Sequence, residues 1–128
     1  RKAPLPMDEE ERLAAVQRLG LLDTGAEERF DRHARIAAAA LNAPIALVTL
    51  VDRDRQWFKS HQGFEFSETP RDMDFARTQY SADGARVGAF CIVDRKPRTL
   101  SAAQLRMLKD IARLVEEELE QRQTAQTG

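Results

Sequence analysis

The sequence predicts an α+β domain in which an antiparallel β-sheet packs against N-terminal and C-terminal helices. Three observations carry this prediction: capped, amphipathic segments at both ends, apolar alternating runs in the middle, and an Asp83-Gly84 pair typical of a tight hairpin turn. The predicted order is helix, helix, strand, strand, loop, strand, strand, helix. The 128 residues suit one domain, which we place at 8–120, between an N-terminal tail (1–7) and a C-terminal tail or linker (121–128).

Capping patterns predict the three helices, at residues 8–20, 24–42 and 101–123. The second begins with a capping box, in which the Thr24 hydroxyl and the Glu27 carboxylate satisfy backbone N–H groups reciprocally. The third begins with another capping box, Ser101 and Gln104. Apolar residues recur at intervals of three and four in each helix, so each buries one face.

Two segments, 44–52 and 85–94, are apolar at both alternating sets of positions and predict central strands covered on both faces. In the first, one set comprises Ile45, Leu47 and Val51, and the other Ala46, Val48 and Leu50. The remaining middle segments predict a neighbouring strand (55–63), a loop (68–74) and a short strand (77–82). Together these strands form the predicted antiparallel sheet.

The composition excludes several classes of function. The 20 basic and 21 acidic residues give a net charge of −1, which argues against binding a nucleic-acid backbone. No apolar run approaches the ~20 residues that cross a bilayer, and the first residues lack the apolar core of a signal peptide. We therefore expect a cytoplasmic protein without nucleic-acid or membrane partners. The chain begins with Arg and reads as a piece of a longer polypeptide.

The sequence offers little chemistry for catalysis. Its one cysteine, Cys91, lies mid-strand and predicts a buried, inert thiol. His33 and His61 lie far apart and lack metal-ligand spacing. There is no Gly-x-Ser-x-Gly motif and no phosphate-binding glycine loop. We expect no enzyme activity, no metal and no cofactor.

The stretch "DRDRQWFK" (52–59) joins two predicted strands. Its four charges can contact a ligand, but charge runs between strands more often form a solvated turn held by local ion pairs. Trp57 and Phe58 are adjacent, so they point to opposite faces of their strand. One ring can line a pocket while the other enters the core.

The chain resembles a GAF domain, the small-molecule-sensing and dimerising module of signalling proteins. The resemblance covers most of residues 8–117 and resides in "EERLAAVQRLGLLDTGAEERFDRHARIAAAAL", "APIALVTLVDRDRQWFKSHQG", "SETPRDMDFA" and "DGARVGAFCIVDRKPRTLSAAQLRMLKDIARLV". It implies a non-catalytic sensory domain of the kind that precedes histidine kinases or diguanylate cyclases. It also implies that the first strand lies between the second and the last.

The chain departs from the family pattern in its middle. In the family, a pocket-forming segment follows the position of Phe75-Ala76, whereas here only seven residues separate Phe75 from Asp83. The resemblance implies a ligand near Trp57, Phe75 and Tyr80. Loss of the segment predicts a reduced number of strands and an uncovered apolar face, and therefore a homodimer.

The last helix carries two apolar seams. One comprises Leu105, Leu108, Ala112, Val115 and Leu119, which we assign to a dimer or signalling helix, and the other comprises Met107, Ile111 and Leu114. One seam can pack on the domain while the other meets a second subunit. A single broad stripe facing the core explains the pattern almost as well. The two seams extend over only about two heptads, fewer than the ~3–4 that indicate a coiled coil.

Two interpretations of the function remain open. In the first, the chain is a regulatory module that dimerises and binds a small molecule of unknown identity to control an output domain. In the second, it is a truncated GAF domain that serves only as a dimerisation or structural element. An enzyme is a distant third, because the methionine-sulfoxide reductase chemistry found on GAF-like folds uses several cysteines and this chain has one.

Overall fold

The computed structural model describes residues 6–71, 76–82, 85–94 and 99–127, with side chains for 9–71, 85–94 and 99–121. Two helices, five strands and one helix follow one another along the described chain. They are α1 (Pro6–Arg18), α2 (Glu28–Ala40), β1 (Ile45–Val51), β2 (Arg55–Gln62), β3 (Glu68–Pro70), β4 (Ala76–Ala82), β5 (Ala85–Val93) and α3 (Ala102–Thr127). Phe75, Asp83 and Gly84 lie outside the described residues, as does the side chain of Tyr80.

The described strands form one antiparallel sheet in the order β3-β2-β1-β5-β4. The most apolar strand, β1, is central, as predicted, because only a strand covered on both faces can bury both of its side-chain sets. Its partners on either side are β2 and β5. The register with β2 shifts between Val48, which pairs with Ser60, and Thr49, which pairs with Phe58. Lys59 is therefore the extra residue of a β-bulge.

The three helices cover one face of the sheet, and the main core lies between them and the strands. Ala46, Val48 and Leu50 of β1 point into this core, as predicted. Trp57 pairs with Leu50 across the sheet and is 5% exposed. Burying one such large apolar side chain stabilises the fold by about 1.5–3 kcal/mol. The α+β class predicted from the sequence is confirmed.

The opposite face of the sheet is closed where the structure describes it, which corrects the predicted uncovered face. Leu47, Phe58, Ala89 and Cys91 form a second cluster, and none of the four is more than 2% exposed. The ring of Phe64, in the segment after β2, stands edge-on to Phe58 with 5.7 Å between centroids. This aromatic pair supplies cover that the sequence pattern did not reveal.

The start of α2 differs from the predicted capping box. The helix begins at Glu28, its N-cap is Glu27, and no side chain caps it. The Thr24 hydroxyl instead donates to the carbonyl of Leu21 at 2.5 Å, so it stabilises the turn that precedes the helix. Local hydrogen bonding of this kind competes with helix capping.

The predicted capping box of α3 is confirmed. The amide of Gln104 donates to the Ser101 hydroxyl at 3.1 Å, and the Ser101 amide donates to the Gln104 side chain at 2.9 Å. The helix continues to Thr127, past the predicted end. At the other end of the chain, α1 stops near Gly20, which adopts a φ of 66° that glycine tolerates best.

Where the structure describes it, the segment between β2 and β5 contains two strands, of which the sequence predicted one. The predicted loop at 68–74 contains a short strand, β3, which pairs with Arg55, Gln56 and Trp57. Its brevity and its Pro70 explain why the sequence pattern missed it. The predicted short strand becomes β4, which forms a hairpin with β5 in which Ala82 pairs with Ala85.

Candidate functional site

Two charges of the turn, those of Asp52 and Arg55, form a local ion pair, as the ion-pair interpretation predicted, whereas the Arg53 side chain lies 3.5 Å from Glu10 of α1. The Asp52 carboxylate accepts from the Arg53 amide at 2.9 Å and from Arg55 Nε at 3.0 Å. Arg55 also donates to Glu68 Oε1 of β3 at 2.7 Å. The turn between β1 and β2 is therefore fixed to its neighbouring strand.

Arg55 reaches further, to the connector between α1 and α2 (residues 21–27). Its two terminal nitrogens donate to both carboxylate oxygens of Asp23, at 3.1 and 2.9 Å. Hydrogen bonding from Arg55 lowers the pKa of the Asp23 carboxyl. The same contacts, with Asp23 the largest cause, raise the pKa of Arg55. Asp23 has a φ of 62°, a left-handed conformation that Asp tolerates better than most residues.

The ammonium of Lys59 holds the other end of the connector. Lys59 is 3% exposed, yet all three of its donors find acceptors. It donates to the Thr24 hydroxyl at 2.8 Å and to the Gly25 carbonyl at 2.5 Å, and it lies 2.8 Å from the Glu27 carboxylate. A buried charge is tolerated only with such complete pairing. Because Lys59 is the bulge residue of β2, the bulge directs its side chain towards the connector.

A cleft of about 480 Å³ opens between β2, α2 and this connector. We call it the β2–α2 cleft. It is lined by Asp23, Thr24, Ala26, Asp31, Arg35, Trp57, Phe58, Lys59, Ser60, His61, Gln62 and Ser67. Small-molecule sites commonly occupy ~300–1,000 Å³, so its size suits a small ligand.

Polar groups dominate the wall that α2 contributes to the cleft. The Ser60 hydroxyl of β2 donates to the Asp31 carboxylate at 2.6 Å. Arg35, one turn further along α2, pairs with both oxygens of Glu28. A ligand in the cleft would meet both charge signs together with hydroxyl and amide groups.

The cleft is connected to α3 through α2. Arg29 of α2 lies 3.5 Å from the Glu118 carboxylate of α3, and its Nε donates to Glu27 at 3.2 Å. Glu27 is also the ion-pair partner of Lys59. A chain of ion pairs therefore runs from β2, along the edge of the connector, to the last helix.

A second network joins α1 to the far end of the sheet. Glu9 accepts from Arg12 at 3.0 Å and from Arg71 at 2.8 Å. Arg12 also donates to the carbonyl of Val51 at 2.6 Å. Hydrogen bonds from both arginines lower the pKa of Glu9 to about 2. These contacts hold α1 against the β1–β2 turn.

The predicted ligand residues are only partly described. Trp57 lines the β2–α2 cleft and otherwise packs in the main core. Phe75 lies outside the described residues, and the backbone of Tyr80 pairs with Gly88 in the β4–β5 ladder. The ligand role of these three residues stays a prediction. Asp31, Ser60 and neighbouring polar residues also line the cleft. The sequence alone did not indicate them, because their proximity depends on the packing of α2 against β2.

The predicted dimer seam of α3 is mostly core. Leu108, Ala112, Val115 and Leu119 are at most 4% exposed and pack in the domain itself, whereas Leu105 is 41% exposed. Of the second predicted seam, Ile111 is 5% exposed and also packs in the core, so only its other two residues lie on the face of α3 available to another molecule. Met107 and Leu114 of that seam are 39% and 47% exposed. The core-facing stripe explains four of the five assigned residues.

Within the described residues, no three His, Cys, Asp or Glu side chains are grouped closely enough to hold a metal ion. None of the described helices combines the length and apolarity that a bilayer span needs. Cys91 is buried, as predicted.

The chain is similar to known proteins in sequence and in fold. No protein-family model matches the chain. A cyclic di-GMP phosphodiesterase of Pseudomonas aeruginosa is 31% identical over 151 residues, a match that covers 88% of this chain and 26% of that protein. The chain thus spans about a quarter of the curated relative. Because 151 residues exceed the 128 of the whole chain, the relative carries residues here that this chain lacks.

Solved structures identify the fold. The GAF domain of an Acinetobacter phosphoenolpyruvate-protein phosphotransferase matches with a TM-score of 0.59 and 11% identity, covering 91% of this chain and 94% of that one. The PixJ GAF domain of Thermosynechococcus elongatus, in its blue-light absorbing form, matches with a TM-score of 0.59 and 10% identity, covering 98% and 94%. The described sheet has the central β1 that the family resemblance predicted. The chain is therefore a domain with the GAF fold.

Proposed function

We propose that the chain is a non-catalytic sensory or regulatory module, which binds a small molecule in the β2–α2 cleft and controls an output domain through α3. The observation that carries the proposal is the cleft itself. It has the volume of a small-molecule site, and its walls belong to elements tied to the last helix. The GAF fold supports a sensory role by analogy, since solved neighbours include GAF domains of a phosphotransferase and of PixJ.

The proposed response depends on two packings of α2. A ligand shifts an equilibrium only if it binds one packing better than the other. Contacts to Asp31 on α2 and to Ser60 on β2 would change with the distance between these elements. The Arg29–Glu118 pair would pass a movement of α2 to α3. The curated relative suggests one class of output, cyclic di-GMP hydrolysis, which belongs to that protein and reaches this chain only as a proposal.

We also propose that the module acts as a homodimer. The sequence predicted a dimer because it predicted an uncovered apolar sheet face. That face is closed where the structure describes it, so it no longer argues for a dimer. Support comes instead from large apolar side chains that the helices leave exposed on the described surface: Ile36, Leu105, Met107 and Leu114. Exposed apolar groups of this size on adjacent helices favour a protein contact. Light scattering at micromolar concentration should give twice the monomer mass, and a strict monomer would end this part of the proposal.

A second function rests on a different observation. The relative matches over more residues than this chain contains, and the resemblance places the loss in the pocket-forming segment. A domain that has lost part of its pocket can persist as an assembly element without a ligand. The two functions differ in one measurable property, the response of thermal stability to small molecules.

A thermal-shift screen with cyclic nucleotides, bilins and small metabolites tests the cleft. A ligand at 100 times its Kd stabilises the fold by about 2.7 kcal/mol, which is readily seen as a higher Tm. The exposed Ala26 lines the cleft, so Ala26→Trp should fill it and abolish the shift. Ala103→Trp, on the exposed side of α3, is the matched control and should preserve it.

Each outcome of the screen selects one function. A shift that Ala26→Trp removes supports the sensory module. A shift that survives this substitution moves the ligand away from the cleft and contradicts the proposal. Silence across the whole panel favours the assembly element.

A further inference from the structure

The two edges of the sheet are unequal. The edge strand β3 has three residues and ends in Pro70, which has no N–H to donate. The other edge strand, β4, has seven residues and no proline. In the described part of the chain, no strand pairs with the outer side of β4. An open row of backbone N–H and C=O groups is a template for another strand.

The position of this edge matches the shortened middle of the chain. The matched region of the relative is longer than the whole chain, and the resemblance predicts that the missing residues fall between Phe75 and Asp83. That interval is β4 itself, Ala76–Ala82. A sheet that loses residues beside a strand leaves that strand with an unpaired edge.

We propose that a second copy of this chain pairs antiparallel with β4, so that two five-stranded sheets join into one. The inference rests on the proposed homodimer and specifies its interface. Antiparallel pairing of a strand with its own copy is two-fold symmetric, so each protomer offers the same donors and acceptors. The strand carries a single charge, Arg77. Any register that keeps Arg77 away from the symmetry axis avoids facing like charges.

The length of the regular ladder suits such a contact. The pairing of β4 with β5 is regular from Ala76 to Tyr80 and shifts between Tyr80 and Ser81. Five extended residues span about 17 Å, enough for several inter-chain hydrogen bonds. The two-fold axis would stand perpendicular to the sheet, which places both helix layers on the same side.

The helix layer adds apolar surface to the proposed contact. The helix that packs over the edge strand β4 is α3, which also contacts β5. Leu105, the one assigned dimer residue that stays exposed, belongs to it. Strand pairing would thus be accompanied by contact between the two helix layers.

Cysteine scanning tests the interface. Single substitutions Arg77→Cys, Thr78→Cys, Gln79→Cys and Tyr80→Cys are oxidised with copper-phenanthroline, with the buried Cys91 kept throughout. Opposed residues in an antiparallel pair have Cα atoms about 4.5–5.5 Å apart, within the ~4.4–6.8 Å of a disulfide. The one position that faces its own copy at the axis should cross-link at least about tenfold faster than the others. Arg32→Cys on α2 is the exposed control, and Leu114→Cys reports helix contact instead.

Hydrogen exchange on the unsubstituted chain provides an independent readout. The outward amides of β4 should become protected as the protein concentration rises, whereas those of the control strand β1 should not change. This measurement decides the question even if the cysteine variants fold poorly.

The outcomes separate the inference from the dimer on which it rests. A dimer that cross-links within β4 supports both. A dimer that cross-links only through Leu114→Cys, or whose β4 amides stay unprotected at all concentrations, overturns the strand pairing but leaves the dimer intact. A monomer by light scattering overturns both.

Discussion

The buried ammonium of Lys59 offers the sharpest test of how the β2–α2 cleft is built. Replacing it in the Lys59→Met variant keeps the length and apolar stem of the side chain but removes three interactions with the connector. We expect the connector to loosen and the domain to lose stability. The ammonium side chain is 1% exposed, whereas its partner Glu27 is 31% exposed.

This asymmetry sets the expected magnitude. Breaking a fully buried ion pair costs about 3–5 kcal/mol, but Glu27 can turn to water, which discounts the loss of its partner. The Thr24 hydroxyl and the Gly25 carbonyl lose a charged donor, and such hydrogen bonds contribute about 1.5–3 kcal/mol each. We therefore expect a loss of about 3 kcal/mol in the free energy of unfolding, or about 10 °C in Tm for a chain of this length.

Urea unfolding followed by circular dichroism measures this loss. Lys109→Met, at an exposed position of α3, is the matched control and should change stability by less than ~0.5 kcal/mol. Amide exchange in residues 23–27 should rise in Lys59→Met and not in the control. A loss below about 1 kcal/mol with an unchanged m-value, or unaltered exchange in the connector, would show that Lys59 does not hold this wall.

Three further predictions concern the turn after β2, the α1 network and the second sheet face. Gly63→Ala should lower the Tm strongly, because a Cβ there would lie 2.0 Å from the Pro44 carbonyl oxygen and the residue has a φ of +77°. Gly25→Ala is the control, since a Cβ at Gly25 meets nothing within 4 Å. In the same thermal melt it should be neutral or slightly stabilising. The pKa of Glu9 is lowered to about 2 in the folded state, so its contribution to stability is complete above its ordinary pKa of 4.5 and is lost as the pH falls from there towards 2. Glu9→Gln should therefore make the Tm fall less steeply as the pH is lowered through this range. An unchanged dependence of Tm on pH would contradict the α1 network. Phe58→Ala should lower the free energy of unfolding by about 3–5 kcal/mol, because Phe58 is 2% exposed. Phe66→Ala is the control and should lower it far less, because Phe66 is 58% exposed. Equal losses in urea unfolding would mean that the second face of the sheet is not packed as described.

Much of the fold could be predicted because it is encoded in local patterns. Capping patterns and apolar spacing identified all three helices, apolar runs identified β1 and β5, and the neighbouring segment and the Asp83-Gly84 turn signal identified β2 and β4. The assignment of Trp57 and Phe58 to opposite faces followed from strand geometry alone. Cap residues were less reliable: Ser101 caps α3 as predicted, whereas Thr24 turns away from α2. The Thr24 hydroxyl donates instead to the Leu21 carbonyl, and it also accepts from Lys59, 35 positions away, which no local cap pattern contains.

The predicted roles of individual residues depended more heavily on packing. The apolar spacing of a helix does not reveal whether the apolar side packs on its own domain or on a second subunit. The α3 seam that we assigned to a second subunit lies mostly in the core of the domain. Similarly, the shortened middle predicted an open sheet face, but Phe64 turns back over Phe58. Such contacts depend on a backbone reversal at Gly63, which a strand pattern does not contain.

The sequence by itself determined the α+β class and the central position of the most apolar strand, because side-chain period is a local property. Only the tertiary structure decided the β2–α2 cleft, the burial of Lys59 and the unequal sheet edges. These features arise where segments distant in the chain meet, and a bulge or a bidentate ion pair then sets their geometry. Their physical cause is long-range contact, which no local pattern of residues specifies.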